Sequence, residues 1–360
     1  MKTTSTPAWT WLVPALSFVS LLIALMSNMG AGFILLCGVA LGAAVFVAVH
    51  HAEVIAHRVG EPFGTLVLAL AVTAIESSLI LSMMVAGGQE MAVLARDALY
   101  SAVMIICTGV IGACLLFGGL AHREQTFRVE GAGSGLAALV VMAALTLILP
   151  AFTTSTVVGT YNRPQLAFVA VSSAVLWIIF VFVQSIRHRD YFIPAATPSD
   201  LEIHAEPPTK AQAWASFGLL VLSLGTVVGL AKMLSPAIER GVDAANAPRA
   251  VVGIVIAALV LLPETWAAVR AARANRLQTS MNLAIGSALA TIGLTVPLVV
   301  VAALVFDLPL MLGLQAKEMA LLAVTFLVSA ITLGTGRTYL MQGAVHLVLF
   351  AAFLFLALVP

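Results

Sequence analysis

Charged residues are so sparse along this chain that eleven mainly apolar stretches lie between them. Each is close to the roughly 20 residues that a helix needs to cross a hydrocarbon core. The stretches are 8–27, 30–50, 62–86, 98–120, 133–153, 164–185, 213–235, 247–269, 279–304, 313–334 and 338–359. Backbone polar groups inside lipid must be satisfied within the segment itself, so each stretch is read as a helix. The expected fold is an all-α polytopic membrane protein with about 11 transmembrane helices. Of 360 residues, 61% are apolar and 9% charged; a soluble domain carries about 25% charged residues, so a water-soluble fold is excluded and the lipid bilayer is the principal partner.

The formal net charge of +1, with no Lys/Arg cluster of the phosphate-reading kind, argues against a nucleic-acid partner. Cys37, Cys107 and Cys114 fall inside apolar stretches without CxxC spacing, which implies neither a disulfide framework nor a zinc site. They read as small core residues. The first stretch is longer than a signal-peptide core and is taken as a retained helix.

Cytoplasmic loops carry the excess of Lys and Arg, so counting these residues on alternate sides orients the chain. The side of the N-terminus holds eleven: Lys2, Arg58, Arg123, Arg128, Arg187, Arg189, Lys210, Arg270, Arg273, Arg276 and Arg337. The other holds six: Arg96, Arg163, Lys232, Arg240, Arg249 and Lys317. The count predicts a cytoplasmic N-terminus and an outside C-terminus, in an inner membrane.

Residues 186–212, with Pro194, Pro198, Pro207, Pro208 and several charges, read as a solvated cytoplasmic linker. Five stretches lie on each side once the first is set apart. The expected division is an N-terminal helix (1–29), a first five-helix repeat (30–185), the linker, and a second repeat (213–360). Glu61 opens the third stretch and Glu76 follows fifteen residues later; Arg249 opens the eighth and Glu264 follows fifteen residues later. Both acids sit in the second helix of their unit. Because five is odd, the two units enter the membrane from opposite sides, which makes the repeats inverted, as in many secondary transporters.

A carboxylate near the bilayer centre costs at least a few kcal/mol and marks an ion path or a relay. Beside Glu76, the hydroxyls of Thr73 and Ser77 add oxygens of the kind hard cations prefer, with Ser78 a further candidate. Before Glu264, Pro263 removes a backbone donor, and a local break in the helix is expected there. In the following helix Ser287 and Thr291 lie four apart on one face, and Gly286 is expected to allow close backbone approach. In the corresponding helix of the first repeat, Ser101 and Thr108 lie seven apart and are expected to share a face. His50, His51 and His57 cluster near the cytoplasmic ends of the second and third stretches, where a charge change near neutral pH is a candidate sensor. Gln342 and His346 share a face of the last helix, as either a proton path or a local helix–helix bond.

The run Gly60-Glu61-Pro62-Phe63-Gly64 through Thr73-Ala74-Ile75-Glu76-Ser77 resembles the first repeat of ChaA-type bacterial cation/proton antiporters. Pro263-Glu264, Ala271-Ala272-Arg273-Ala274-Asn275, the run Asn282 to Leu289, and Pro297 resemble the second. The likeness extends over essentially the whole chain, including His188-Arg189-Asp190-Tyr191-Phe192 at the start of the linker. It implies membership of the calcium/cation antiporter superfamily, in which two repeat glutamates, here Glu76 and Glu264, bind the transported cation and exchange it for protons. The wider calcium/proton exchanger family has a Gly-Asn-Ala-Pro-Glu type motif, whereas this chain reads Val72-Thr73-Ala74-Ile75-Glu76 and Val260-Leu261-Leu262-Pro263-Glu264. Calcium takes about six to eight oxygens, so the missing amides leave Na⁺ and K⁺ open beside Ca²⁺.

The function expected is exchange of metal cations (Ca²⁺ and/or Na⁺/K⁺) for H⁺ by alternating access, without an organic cofactor. A cation channel or a non-transporting membrane scaffold is the alternative. An intramembrane enzyme is disfavoured, since the spans hold no HExxH pair, GxSxG or aspartate dyad.

Overall fold

The computed structural model describes residues 7–26, 30–60, 63–193, 208–244, 248 and 250–359. Lys2, Glu61, Pro62, Arg249 and residues 194–207 of the expected linker lie outside the described residues. The helices are α1 (Trp9–Met26), α2 (Ala31–Val59), α3 (Phe63–Gly87), α4 (Leu94–Met104), α5 (Ile111–His122), α6 (Val129–Ala143), α7 (Arg163–Phe182), α8 (Lys210–Ala244), α9 (Ala250–Arg273), α10 (Leu277–Phe306), α11 (Ala316–Leu333) and α12 (Leu340–Leu358). A π-helical turn, Ile105–Val110, joins α4 to α5 into one continuous span. Eleven spans long and apolar enough to cross a membrane result among the described residues.

Five spans run four or more residues beyond the sequence expectation at one end. The second continues to Val59, the fourth begins at Leu94, the fifth begins at Val129, the seventh ends at Val242 and the eighth ends at Arg273. Each extension takes polar residues into the helix, because a charged side chain does not stop a helix whose backbone bonds are already satisfied. Terminators do. Gly60, at φ 77°, ends α2 in backbone that side chains with a Cβ rarely adopt, and its N–H donates to Ala56 O at 2.9 Å. At the start of α7, Asn162 Oδ1 accepts from Gln165 N while Gln165 Oε1 accepts from Asn162 N, both at 2.9 Å.

The chain forms two compact units. The first comprises Met1–Gly87 and Ala205–Asn246, and so takes α1, α2, α3 and α8; the second comprises Gly88–His204 and Ala247–Pro360, with the remaining helices. Neither unit coincides with one of the five-helix repeats expected from the sequence. In the first, α2 packs against α1, α3 and α8, and polar side chains tie helices to neighbouring carbonyls: Ser17 Oγ donates to Ala40 O at 3.1 Å, and Ser82 Oγ to Val228 O at 3.2 Å. Such bonds matter where no hydrophobic force separates helix from lipid.

The second unit has two distinguishable ends. At one, Gln125 Nε2 donates to Ala272 O at 2.9 Å and Arg128 N to Gln278 Oε1 at 2.7 Å. Asn282 Nδ2 reaches Phe192 O there. A short antiparallel pair, β1 (Glu124–Thr126) with β2 (Arg337–Tyr339), completes this end and is the one departure from an all-α fold among the described residues. At the other end, Arg96 Nη1 donates to Gly313 O at 3.2 Å and Met311 N to Ala92 O at 2.9 Å. The loops bearing Arg123, Arg128, Arg270, Arg273, Arg276 and Arg337 thus meet at one end, and those bearing Arg96 and Lys317 at the other. The alternate-side partition of the arginines is realised within this unit.

Candidate cation site

Glu76 lies midway along α3, about 20 Å from the helix start at 1.5 Å per residue. It is 3% exposed. Thr73, at 2%, and Ser77, at 3%, lie on the same buried side of α3, Thr73 one turn before Glu76 and Ser77 about 100° around the helix from it. Ile75, Leu79 and Ile80 are buried beside it, while Ala74 and Ser78 on the opposite side of the helix are half-buried. A carboxylate and two hydroxyls are therefore presented together from one buried turn of a membrane-length helix. Ser78 is only half-buried.

In the second unit Glu264 lies about 20 Å from the start of α9, the depth of Glu76 in α3. Its side chain is half-buried, with Oε2 closed to solvent. Leu262 and Trp266, four apart and 59% and 70% exposed, mark the outer face of α9; Val260, Leu261 and Ala268 are buried on the inner one. The break expected at Pro263 does not occur: α9 is helical from Ala250 to Arg273 through the proline. The helix keeps its course because the ring removes only one ladder bond, that to Leu259 O, while Thr265 Oγ1 donates to Leu261 O at 2.7 Å on the same turn.

Helix α10 packs on α9, anchored by Ser280 Oγ donating to Ala268 O at 2.7 Å. Thr291 is buried and Ser287 half-buried, four apart as expected. Gly286 does not serve close approach, since a Cβ built there would meet no atom within 4 Å. It borders open space.

The Ser101 and Thr108 pairing fails. The π-helical turn between them holds more residues per turn than an α-helix, so a spacing of seven no longer returns to the same face. Thr108 Oγ1 donates back to Met104 O, while Ser101 lines a separate pocket with Asp97, Tyr100 and Glu318 that includes neither Glu264 nor Ser287.

His50 and His51 are in edge-to-face ring contact at 5.6 Å, and His57 stands apart from them. His51 is 2% exposed and clamped, Nε2 to Thr10 O at 3.0 Å and Nδ1 to Ser216 Oγ at 3.2 Å. His50 packs on the Trp9 ring at 4.8 Å, and His57 is exposed. Because α2 continues to Val59, His50 and His51 lie inside the span and not at its end. His346, fully buried, joins three helical segments through Cys107 O at 2.7 Å and Thr332 Oγ1 at 3.1 Å. Gln342 Oε1 instead accepts from Tyr339 N at 3.1 Å, capping α12, so the two side chains bond to different partners. The cysteines are buried and free.

Sequence reasoning missed the buried ion pair of Arg96 and Asp97. Both Nε and Nη2 of Arg96 donate to Asp97 Oδ1 at 2.8 Å, with the residues 7% and 5% exposed. Starting the span at 98 left both in a loop; the helical continuation Leu94-Ala95-Arg96-Asp97-Ala98-Leu99, with alanine and leucine on both sides, was the available signal.

A model of the family described as sodium/calcium exchanger protein matches residues 29–186 and 215–359. A protein of Sinorhizobium fredii (strain NBRC 101917 / NGR234), named as a candidate ionic transporter, is 42% identical, covering 100% of this chain and 98% of its own. The sodium-potassium/proton antiporter ChaA of Escherichia coli (strain K12) is 36% identical, over 86% of this chain and 84% of its own. Among solved structures, native YfkE superposes with a TM-score of 0.74 at 18% identity, covering 98% of this chain and 100% of that one. The H⁺/Ca²⁺ exchanger CAX gives 0.73 at 15%, covering 96% and 87%. At these identities the structures speak for the fold.

Proposed function

This chain belongs to the sodium/calcium exchanger protein family, and from that premise we propose that it is a secondary transporter exchanging cytoplasmic metal cations for protons, with Glu76 and Glu264 carrying the exchanged charge. The observation that carries this reading is the position of Glu76, a 3% exposed carboxylate at the middle of an apolar helix with the buried hydroxyls of Thr73 and Ser77 on the same turn. A structural acid is cheaper near a helix end, in reach of water and headgroups; one held at membrane depth is a functional group by default.

Two carboxylates hold two protons or balance one divalent cation, so loading by one species displaces the other. Thr73 and Ser77 beside Glu76, and Ser287 and Thr291 on the helix after Glu264, supply neutral oxygen ligands. Sodium, potassium and calcium all accept such a set, completed by carbonyls or water. The antiporter ChaA is named for sodium, potassium and protons, which favours monovalent cations here, with calcium retained as a substrate. The opposite membrane entry of the two acid helices, read from the sequence, supports two inverted five-helix repeats and exchange by alternating access. The lysine and arginine count supports an inner-membrane protein with its N-terminus in the cytoplasm.

The test is proton movement in proteoliposomes holding the full-length protein, followed with a pH-sensitive dye on adding sodium, potassium or calcium. Wild type dissipates an imposed pH gradient with at least one cation, while Glu76→Gln and Glu264→Gln do not. Dissipation that persists in both variants refutes the assignment of the acids, and a conductance without proton coupling favours a channel.

A further inference from the structure

The two ends of the second unit use their basic residues differently. At one, Arg96 is bonded to Asp97 at 2.8 Å, Arg163 lies 3.8 Å from Asp307, and Lys317 Nζ donates to Leu356 O at 3.4 Å. At the other, Arg337 lies 3.6 Å from Glu124, but the guanidiniums of Arg123, Arg128, Arg270 and Arg273 have no hydrogen bond or ion pair among the described residues. That end carries positive charge which the unit does not neutralise.

The outer face of α9 leads from lipid to these charges. At about 100° per residue, Leu262, Trp266, Arg270 and Arg273 fall within about 80° of one another, on one stripe of an uninterrupted helix. Leu262 and Trp266 are 59% and 70% exposed, and both arginines are exposed. Arg270 stands about 6 Å beyond Trp266 along the axis and Arg273 about 10 Å beyond it. The order is that of a bilayer leaflet: an aliphatic side chain at acyl depth, an amphipathic ring at the interface, then guanidiniums at the headgroups. Helix α5 packs on α9, and His122 Nε2 donates to Arg273 O at 2.9 Å. The next residue, Arg123, is exposed at the same rim.

Stripe and charge together select the occupant. A guanidinium binds phosphate oxygens through two parallel bonds. A zwitterionic headgroup sets its own cation against its phosphate, whereas an anionic one leaves that charge to the protein. A soluble acidic partner would meet only the arginines, because Leu262 and Trp266 lie within a membrane-length span. A phospholipid meets all four residues of the stripe. Clustered basic residues beside a span attract anionic lipid in this way.

We propose that this rim, with Arg270 and Arg273 at its centre, binds the headgroup of an anionic phospholipid whose acyl chains lie along Leu262 and Trp266. The site is separate from that of the exchanged ion and does not depend on the assignment of exchange.

The experiment reconstitutes the full-length protein in phosphatidylcholine bilayers in which a fixed minor fraction of the lipid is brominated phosphatidylglycerol or, in parallel, brominated phosphatidylcholine. Bromine quenches tryptophan on contact, and subtracting the signal of Trp266→Phe isolates Trp266 from the other tryptophans. Phosphatidylglycerol quenches Trp266 more than phosphatidylcholine does. Arg270→Gln and Arg273→Gln each lower its relative affinity by about fivefold, and the preference shrinks toward about 1 M salt, where the screening length is about 3 Å. Both guanidiniums are exposed and unpartnered among the described residues, so the variants fold. Arg163→Gln, at the opposite end, leaves the preference unchanged. The proposal is overturned if the two lipids quench Trp266 equally, if the preference survives in the double arginine variant, or if Arg163→Gln removes it as well. It is also overturned if neutralising Asp200, Glu202 and Glu206 of the linker raises the preference as far as the arginine variants lower it, which would make the linker the native occupant.

Discussion

Replacing Arg96 with methionine tests whether the fold depends on a buried charge pair that contributes nothing to the apolar pattern. Methionine retains most of the side-chain volume but removes both bonds to Asp97 Oδ1 and the bond to Gly313 O. Asp97, 5% exposed, is left without its compensating partner. Breaking a buried pair in this way costs about 3–5 kcal/mol, and the lost bond to Gly313 adds about 1 kcal/mol. Removing both charges, as Arg96→Met with Asp97→Leu, eliminates the uncompensated carboxylate and leaves only the Gly313 bond and repacking, about 1–2 kcal/mol. The double variant is therefore expected to be more stable than the single one by about 3 kcal/mol. Thermal unfolding of the four forms in one detergent, followed by tryptophan fluorescence, reads the order of midpoints. The exposed pair Arg163–Asp307, 3.8 Å apart with side chains 79% and 97% exposed, serves as a control and should show no resolvable coupling. If the double variant unfolds as readily as Arg96→Met, the penalty comes from lost packing or from the Gly313 tether, and the reasoning from the stranded carboxylate is refuted.

Thr73→Val removes one hydroxyl beside Glu76 while preserving shape, and should raise the half-saturating cation concentration about three- to tenfold in the dye assay; an unchanged value excludes Thr73 as a ligand. His346→Leu loses the bonds to Cys107 O and Thr332 Oγ1 and should cost about 1–3 kcal/mol of stability. Its transport should keep the wild-type pH profile, and a displaced profile would show that His346 handles protons. Gly343→Ala drives a Cβ to 2.4 Å from Leu116 N, a backbone contact that cannot rotate away, whereas Gly286→Ala enters open space. The first should lose about 1–3 kcal/mol and the second nothing measurable, as judged by yield and unfolding temperature.

The eleven spans were legible because lipid enforces one simple condition, that a backbone crossing it be helical and its side chains mainly apolar. That condition is local, so composition in a window of about 20 residues suffices. The acids were legible for the complementary reason: Glu76 violates the condition at the centre of a span, and few reasons for such a violation are structural. Helix ends were read less well. The span at Leu94 begins four residues before the last charge would suggest, because Arg96 and Asp97 neutralise one another inside the helix and so behave, as a pair, like neither residue alone. A window average has no means of recording that cancellation, and the pocket around Asp97 was lost with it.

Side-chain facing was the least legible, and the π-helical turns explain why. Inferences such as the pairing of Ser101 with Thr108 assume a constant rotation per residue, about 100° in an α-helix. The turn at Ile105–Val110 inserts an extra residue without changing the apolar composition, and similar turns occur at Ala144–Ile148 and Val183–Arg187. An inserted residue in a run of isoleucine, cysteine and valine leaves no hydrophobic signature, since every face there is apolar. It nevertheless reorients all that follows. The pairings that survived, Thr73 with Ser77 and Ser287 with Thr291, lie within uninterrupted α-helix and span only one turn. Side-chain facing inferred from spacing in a membrane helix therefore holds over one turn, and beyond it only where the backbone hydrogen-bond ladder is known.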